Sequence, residues 1–272
     1  MAATVTISDD FDLEKIRKSG QCFRITRRDD EDAPVFSVVS KNHYLEMSAS
    51  PKGENKWNIS RSKKEFNDFW ATYFDLDRSY EEIRNQAESD NAFLDEALDF
   101  GRGLRILKQD PWEMIVTFII SQRRSMPAIA TAVDKICRCF GVENGQFCEF
   151  PSAEKLASLN EAELRDCGIG YRAPYVLDAA RRVASGDINF CACASMPDEE
   201  LFNELCKIKG VGTKVANCVM LFGFSRFASA PVDVWIQRVI DKEFAGKNPF
   251  PAFGDVAGII QQYLFFYITQ TK

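Results

Sequence analysis

The sequence contains one histidine, His43, in 272 residues. One imidazole cannot carry a histidine-based zinc site. The nine cysteines include no C-x-x-C pair. Cys137/Cys139 and Cys191/Cys193 are each separated by one residue, whereas paired zinc ligands stand about 2–4 residues apart. No metal ion and no other cofactor is expected. No secretory segment opens the sequence, and the cysteine count is odd, so reduced thiols inside the cell are expected. No apolar run reaches roughly 18 residues, so no membrane partner is expected. A surplus of positive charge is also missing: 34 Lys and Arg stand against 40 Asp and Glu, a formal net charge of −6. Taken alone, that balance favours a small-molecule enzyme over a nucleic-acid binder. Internal repeats and low-complexity tracts are absent as well.

What is present is an apolar fraction of 46%, enough to bury a full core in two modest domains or one large one. Residues 1 to about 60 alternate as strands do, in FRITRR, VFSVVSKNHYLEMSA and KWNIS, with a turn at 50–53. From Lys64 the period becomes helical. EFNDFWATYF, SYEEIRNQAES and NAFLDEALDF read as three helices, and Gly101-Arg102-Gly103 as a seam. After Pro111 the run WEMIVTFIISQ is apolar nearly all round and predicts a buried central helix. Further helices are predicted at 127–139, 153–158, 161–166, 172–184 and 198–206, then from Asp233 and near 254–268. The class is α+β: an N-terminal antiparallel β-sheet domain over 1–100, with flanking helices, and an all-α body over 101–272. The basic residues cluster as Arg102/Arg105/Lys108, Arg123/Arg124, Arg181/Arg182 and Lys207/Lys209/Lys214. Such clusters can form a positive face on an acidic protein.

Chemistry concentrates in residues 201–235, LFNELCKIKGVGTKVANCVMLFGFSRFASAPVDVW. Gly210-Val211-Gly212 forms a tight turn between two amphipathic stretches, a hairpin of helices over about 198–223. Without Cβ atoms at 210 and 212, backbone N–H groups can converge on one anion. The second stretch begins there, and its free N–H groups face the same spot, which suits a phosphate. Lys214 lies in that first turn, where a cation is disfavoured. Such a setting favours the neutral amine that a nucleophilic lysine needs. The plainer role is a phosphate contact. Asp233 follows the Pro231-Val232 break and suits a helix N-cap. A capping carboxylate stays ionised and can stabilise a cationic transition state.

G-V-G-T-K-V-A, followed by P-V-D-V with Asp233 nineteen positions after Lys214, resembles the helix-hairpin-helix DNA glycosylases. Ser19-Gly20-Gln21-Cys22-Phe23-Arg24, Gln109-Asp110-Pro111, Gly170-Tyr171-Arg172-Ala173 and the segment from Ala257 to Phe265 bring it closest to the 8-oxoguanine DNA glycosylase/AP-lyase branch. The resemblance implies Lys214 and Asp233 as the catalytic pair. It implies a damaged-base pocket of Gly20, Gln261, Phe265 and Cys218, in which the Gly20 carbonyl accepts the N7 hydrogen that guanine lacks. Gln261 and Phe265 are i, i+4 and share a helix face. Without the resemblance, Phe265 reads as core and Gln261 as surface. DNA contacts are implied for Gly210, Val211, Gly212, Tyr171, Arg172, Arg123 and Trp235. No four-cysteine cluster follows Asp233, which separates the sequence from iron–sulfur relatives.

Three positions depart from the eukaryotic pattern: Arg123 replaces an Asn, Ala128 an Arg that grips the orphaned cytosine, and Trp235 a His. The first two predict relaxed reading of the opposite base, with excision opposite C, T and G within about tenfold. The expected function is removal of 8-oxoguanine through a lysine Schiff base, with nicking by β-elimination. The expected partner is double-stranded DNA containing an oxidised purine, the expected form a monomer, and the expected place with the DNA, in the nucleus of a eukaryote or the cytoplasm of a prokaryote. The alternatives are a monofunctional alkyl-purine glycosylase, which lacks the lysine, and a non-catalytic hairpin module that binds DNA structure.

Overall fold

The structure, a computed structural model, describes residues 3–30, 33–87 and 90–271. Alternation in the N-terminal segment builds five strands: β1 (Ala3–Thr6), β2 (Ile25–Arg28), β3 (Val35–Ser40), β4 (His43–Ala49) and β5 (Lys56–Ile59). They form one sheet in the order β1-β5-β4-β3-β2. The register pairs Ala3 with Ile59, Met47 with Ile59 and Ile25 with Val38, each antiparallel. Phe36 and Val38 of β3 and Leu45 and Met47 of β4 fall on the buried face, as period-two alternation requires. The helical body follows, so the α+β reading holds, although a short pair of strands, Glu143–Asn144 and Phe147–Cys148, interrupts the helices.

The chain separates into two compact units. One contains the sheet, the residues up to Lys108 except 40–42, and the segment from Phe227 onward; the other contains 40–42 and Gln109–Arg226. Compactness thus groups residues out of chain order. The division into 1–100 and 101–272 follows chain order, and it remains a proposal about domain make-up.

In the first unit a helical stretch over 63–73 opens on a capping box, Ser62 with Glu65, and widens into a π-turn at Phe66–Trp70. It delivers Phe66, Trp70, Tyr73 and, just beyond, Phe74 to the core, each essentially buried. Each such side chain contributes about 1.5–3 kcal/mol of burial. His43 stacks on Phe69 with ring centroids 3.7 Å apart, so the single imidazole is a packing group. The C-terminal helix Ala257–Gln270 is buried along most of its length. It packs so closely on the seam that a Cβ at Gly101 would lie 2.2 Å from the Tyr263 ring.

Two expectations are corrected in this unit. A helix, Leu13–Lys18, which the sequence reading did not place, lies inside the segment read as β-rich, with Asp12 accepting from the N–H groups of Glu14 and Lys15. The cluster Arg102/Arg105/Lys108 is not a positive face. Arg105 is fully buried and donates to the carbonyls of Phe74, Asp10, Asp75 and Arg78 and to Asp9. Lys108 pairs with Asp75 at 2.7 Å and Arg102 with Asp99 at 3.1 Å.

In the second unit the apolar helix Pro111–Ser121 is buried from Trp112 to Ile120. Asp110 caps it, accepting from Trp112 N–H at 2.9 Å, with Pro111 at the first helical position. The helices Met126–Phe140, Ala173–Ser185 and Thr213–Gly223 pack around it. Gly223 allows the last of these to approach: a Cβ there would sit 3.0 Å from the Cα of Pro111.

Candidate active site

The hairpin of the second unit is formed by Asp198–Cys206 and Thr213–Gly223. Gly210 has φ +84°, a left-handed conformation that suits glycine, and a Cβ there would meet the Tyr175 ring at 2.5 Å. Val211 is buried and anchors the turn, while Gly212 is exposed at the N-cap of the second helix and has no side chain to offer. The first N–H groups of that helix therefore face outward without a side-chain cap. Lys214 is the second residue of the helix and half-buried. Its Nζ lies 5.0 Å from the centroid of the Phe118 ring, which is itself stacked on Phe222. Cys218, one turn further on, is buried.

The same unit presents Tyr171 and Arg172 on a glycine-bounded turn, with Gly168 at φ +79° and Gly170 at φ +58°. Tyr171 is 48% exposed, an unusual setting for a large ring. Arg172 is buried, and its guanidinium lies over the Tyr171 ring at 4.3 Å. Nε and Nη2 donate to the Gln122 carbonyl and Nη1 to the Ile169 carbonyl. These bonds hold the turn in place, and the DNA contact expected of Arg172 remains a proposal. Gln122 in turn donates its side-chain amide to the Gly210 carbonyl at 3.1 Å. Tyr171, Arg172, Gln122 and the hairpin glycine are one connected arrangement. Arg123 is exposed, with a left-handed backbone at φ +54°.

The first unit carries the other group of site residues. Asp233 caps Val234–Glu243, its Oδ1 accepting from the N–H groups of Trp235 and Ile236 at 2.9 Å each. Oδ2 has no hydrogen-bond partner among the described residues. Val234 and Trp235 are 66% and 38% exposed beside it, and Arg238 lies 5.2 Å from the Trp235 ring centroid. On the C-terminal helix Gln261 is buried, and its Oε1 has no hydrogen-bond partner among the described residues. A buried acceptor without a partner costs free energy unless something else satisfies it. Phe265, one turn on, is half-exposed.

Gly20 has φ +75° in a turn tied down on both sides. Gln262 donates to the Ser19 carbonyl at 2.6 Å, and Gln21 donates to the Arg105 carbonyl at 2.8 Å while accepting from Leu107 N–H at 2.8 Å. The structure thus joins the Gly20 turn to the helix that carries Gln261 and Phe265. Two of the residues that organise the site were missed from sequence. Gln122 follows an apolar run and reads as a helix end, and Gln262 sits beside the glutamine whose motif was recognised.

With this geometry in hand, comparisons with known proteins are specific. Residues 4–115 match the family model described as 8-oxoguanine DNA glycosylase, N-terminal domain. Residues 116–250 match that of the HhH-GPD superfamily base excision DNA repair proteins. The probable N-glycosylase/DNA lyase of Methanothermobacter thermautotrophicus is 29% identical, covering 94% of this chain and 93% of that protein. The N-glycosylase/DNA lyase of Saccharomyces cerevisiae is 32% identical over 65% of this chain and 52% of its own length. A solved structure of MBOgg1 with a low affinity DNA ligand superposes with a TM-score of 0.90 at 33% identity, over 99% of this chain and 96% of that one. The Clostridium acetobutylicum 8-oxoguanine glycosylase/lyase, bound to double-stranded DNA with cytosine opposite 8-oxoG, gives 0.87 at 31% identity over 100% and 98%. The 3-methyladenine DNA-glycosylase of Archaeoglobus fulgidus shares the fold, with a TM-score of 0.70 at 19% identity.

Proposed function

The chain belongs to the HhH-GPD superfamily of base excision repair proteins, within its 8-oxoguanine DNA glycosylases, and on that premise we propose that it excises 8-oxoguanine with Lys214 as nucleophile and Asp233 as electrostatic partner. The activity is that of a bifunctional glycosylase and AP lyase. The Lys214 amine bonds to C1′ of the extruded nucleotide, and the C1′–N9 bond breaks with its electron pair leaving on the base. Loss of the amine protons and opening of the sugar ring give an imine. Removal of a C2′ proton then expels the 3′ phosphate and nicks the strand. The open oxygen of Asp233 suits the positive charge that develops at C1′.

Base recognition is assigned to Gly20, Gln261, Phe265 and Cys218. The Gln261 amide reads the Watson–Crick edge and the Phe265 ring lies on the base face. The bare helix start behind Gly212 takes a backbone phosphate. Tyr171 enters the stack, with Arg172 holding it in position. Trp235, with Val234, covers sugar and phosphate beside Asp233, and Arg123 contacts the backbone. The partner is DNA; a monomer acting where the DNA is kept completes the proposal. No helix of the described residues is long and apolar enough to cross a membrane.

The observation that carries the reading is Lys214, a half-buried amine on the hairpin helix with no carboxylate partner among the described residues. Sodium borohydride should trap the protein on an 8-oxoguanine duplex, and peptide mapping should place the cross-link on Lys214. A cross-link elsewhere, or none, defeats the assignment.

A further inference from the structure

At the end of the buried helix Pro111–Ser121 the chain turns through Gln122, Arg123 and Arg124 before Met126–Phe140 begins. Arg124 is half-buried, yet its Nη1 is enclosed and has no hydrogen-bond partner among the described residues. No carboxylate of the described residues pairs with Arg123, Arg124 or Arg172. An enclosed guanidinium nitrogen without an acceptor is costly and calls for one. The neighbouring guanidinium increases that cost. Arg172 binds its proton less tightly than usual because of its burial and the nearby Arg124 charge. Arg123 supplies the bend through a left-handed backbone that a non-glycine residue adopts at a cost. Strain, like charges and an unmet donor thus fall together, beside the exposed Tyr171 ring that Arg172 holds.

Three of the five donors of Arg172 are committed to the carbonyls of Gln122 and Ile169. Ala128, on the following helix, has no donor. The enclosed donor left without an acceptor in this corner belongs to Arg124. We propose that Arg124 reads the base left unpaired opposite the lesion, donating to its acceptor edge. This rests on the glycosylase reading above for the identity of the ligand.

The chemistry sets the selectivity. A guanidinium has five donors and no acceptor. Cytosine offers O2 beside N3, guanine O6 beside N7, and thymine a carbonyl oxygen, all of which accept from it. Adenine carries an N6 amino group beside N1 and N7, so each strong acceptor is flanked by a donor that meets Arg124 hydrogen to hydrogen. Arg124 therefore admits C, G and T and disfavours A. A single Arg contact of this kind separates bases by about tenfold or more.

The test measures single-turnover release of 8-oxoguanine opposite each of the four bases, together with affinity for duplexes holding a tetrahydrofuran abasic site opposite C or A. Wild type should act opposite C, T and G within about tenfold and opposite A at least about tenfold more slowly. Arg124→Ala should bring the A and C rates, and the A and C affinities, towards equality. Arg124→Lys keeps the charge but not the fork, and should lose discrimination as well. Melting temperatures of both variants confirm folding. A uniform loss across all four bases, with a salt slope smaller by about one, identifies a phosphate contact and overturns the proposal. Unchanged ratios overturn it too. A protein that releases no base but binds the C duplex over the A duplex through Arg124 would sink the glycosylase reading and leave this one standing.

Discussion

The side-chain amide of Gln262 donates to the main-chain carbonyl of Ser19 at 2.6 Å, across 243 positions of sequence. Both groups are buried. The bond fixes the residue before Gly20 to the residue after Gln261, so the carbonyl proposed to sense the N7 hydrogen is set relative to the amide proposed to read the base edge. A one-ångström error in such a placement is expensive for recognition. Gln262→Leu keeps the volume but leaves the Ser19 carbonyl without its donor. We expect a stability loss of about 1–3 kcal/mol and a fall in the ratio of 8-oxoguanine to guanine release. Urea unfolding and single-turnover rates on the two substrates measure these. An unchanged ratio with the stability loss present would reduce Gln262 to a structural bond.

Much of this arrangement was legible in the sequence, where local chemistry decides the outcome. The glycine turn at 210–212, the Asp233 cap and the buried helix after Pro111 follow from backbone freedom, side-chain capping and continuous apolarity. What was not legible depends on distant partners. Arg105 reads as one of a surface cluster, because the four carbonyls that bury it come from Asp10 and from the stretch 74–78, both distant in sequence. The hold of Arg172 on the Gln122 carbonyl likewise joins residues 50 positions apart. The helix Leu13–Lys18 is too short to show a period and was hidden among strands. Which of two adjacent glutamines reaches Ser19 depends on helix rotation, which sequence spacing alone does not set.

Arg105 carries a stability prediction. Its guanidinium satisfies four carbonyls and Asp9 and lies 4.2 Å from the Tyr80 ring centroid. Arg105→Met fills the volume but leaves those acceptors buried without donors. A loss of about 3–5 kcal/mol is expected, a large share of a typical domain's stability. Differential scanning calorimetry should show a strongly lowered or absent transition. A melting temperature within a few degrees of wild type would contradict this role.

Acid should destabilise the protein through the carboxylates of the first unit. The Arg17 hydrogen bond, against the opposing effect of burial and with help from Lys18, holds the Glu14 carboxyl at about 2 instead of the ordinary 4.5. Burial pushes Asp9 up, but donors from Tyr80, Asp10, Arg105 and Glu81 outweigh it and hold it below 3.8. A folded-state value below the unfolded one means the unfolded chain binds more protons in that range. The contribution is therefore complete above about pH 4.5 and declines as pH falls towards 2. Urea midpoints between pH 6 and pH 3 should fall, and Glu14→Gln should flatten part of the slope. An identical slope in the variant would remove Glu14 from the account.

Lys214 can be removed without unfolding the protein. Its amine rests near one aromatic ring, a contact of about 0.5–1 kcal/mol at a partly exposed site. Lys214→Gln should melt within a few degrees of wild type and still bind an abasic-analogue duplex, yet release no base and cut no strand. Burst-phase assays on labelled 8-oxoguanine duplex decide the matter. Base release with nicking alone lost would move the glycosidic step to an activated water and leave Lys214 with the lyase step.

Asp233 has two separable roles, and one substitution distinguishes them. Oδ1 is committed to the N–H groups of Trp235 and Ile236, while Oδ2 has no hydrogen-bond partner among the described residues. Asn is as good an N-cap as Asp, so Asp233→Asn keeps the helix Val234–Glu243 while removing the negative charge. Circular dichroism and melting temperature should therefore scarcely change. The charge matters only as C1′ becomes cationic, which places its loss in the rate of base release and not in DNA affinity. A fall on the order of 10²–10³ in the single-turnover rate is expected, the usual cost of removing one electrostatic stabiliser. Adding Asp233→Ala isolates the cap: it should lose about 1 kcal/mol of stability as well, with a rate no lower than that of Asp233→Asn. If Asp233→Asn keeps a near-normal rate while Asp233→Ala is slow, the carboxylate serves the helix, and the cation at C1′ is stabilised by another group.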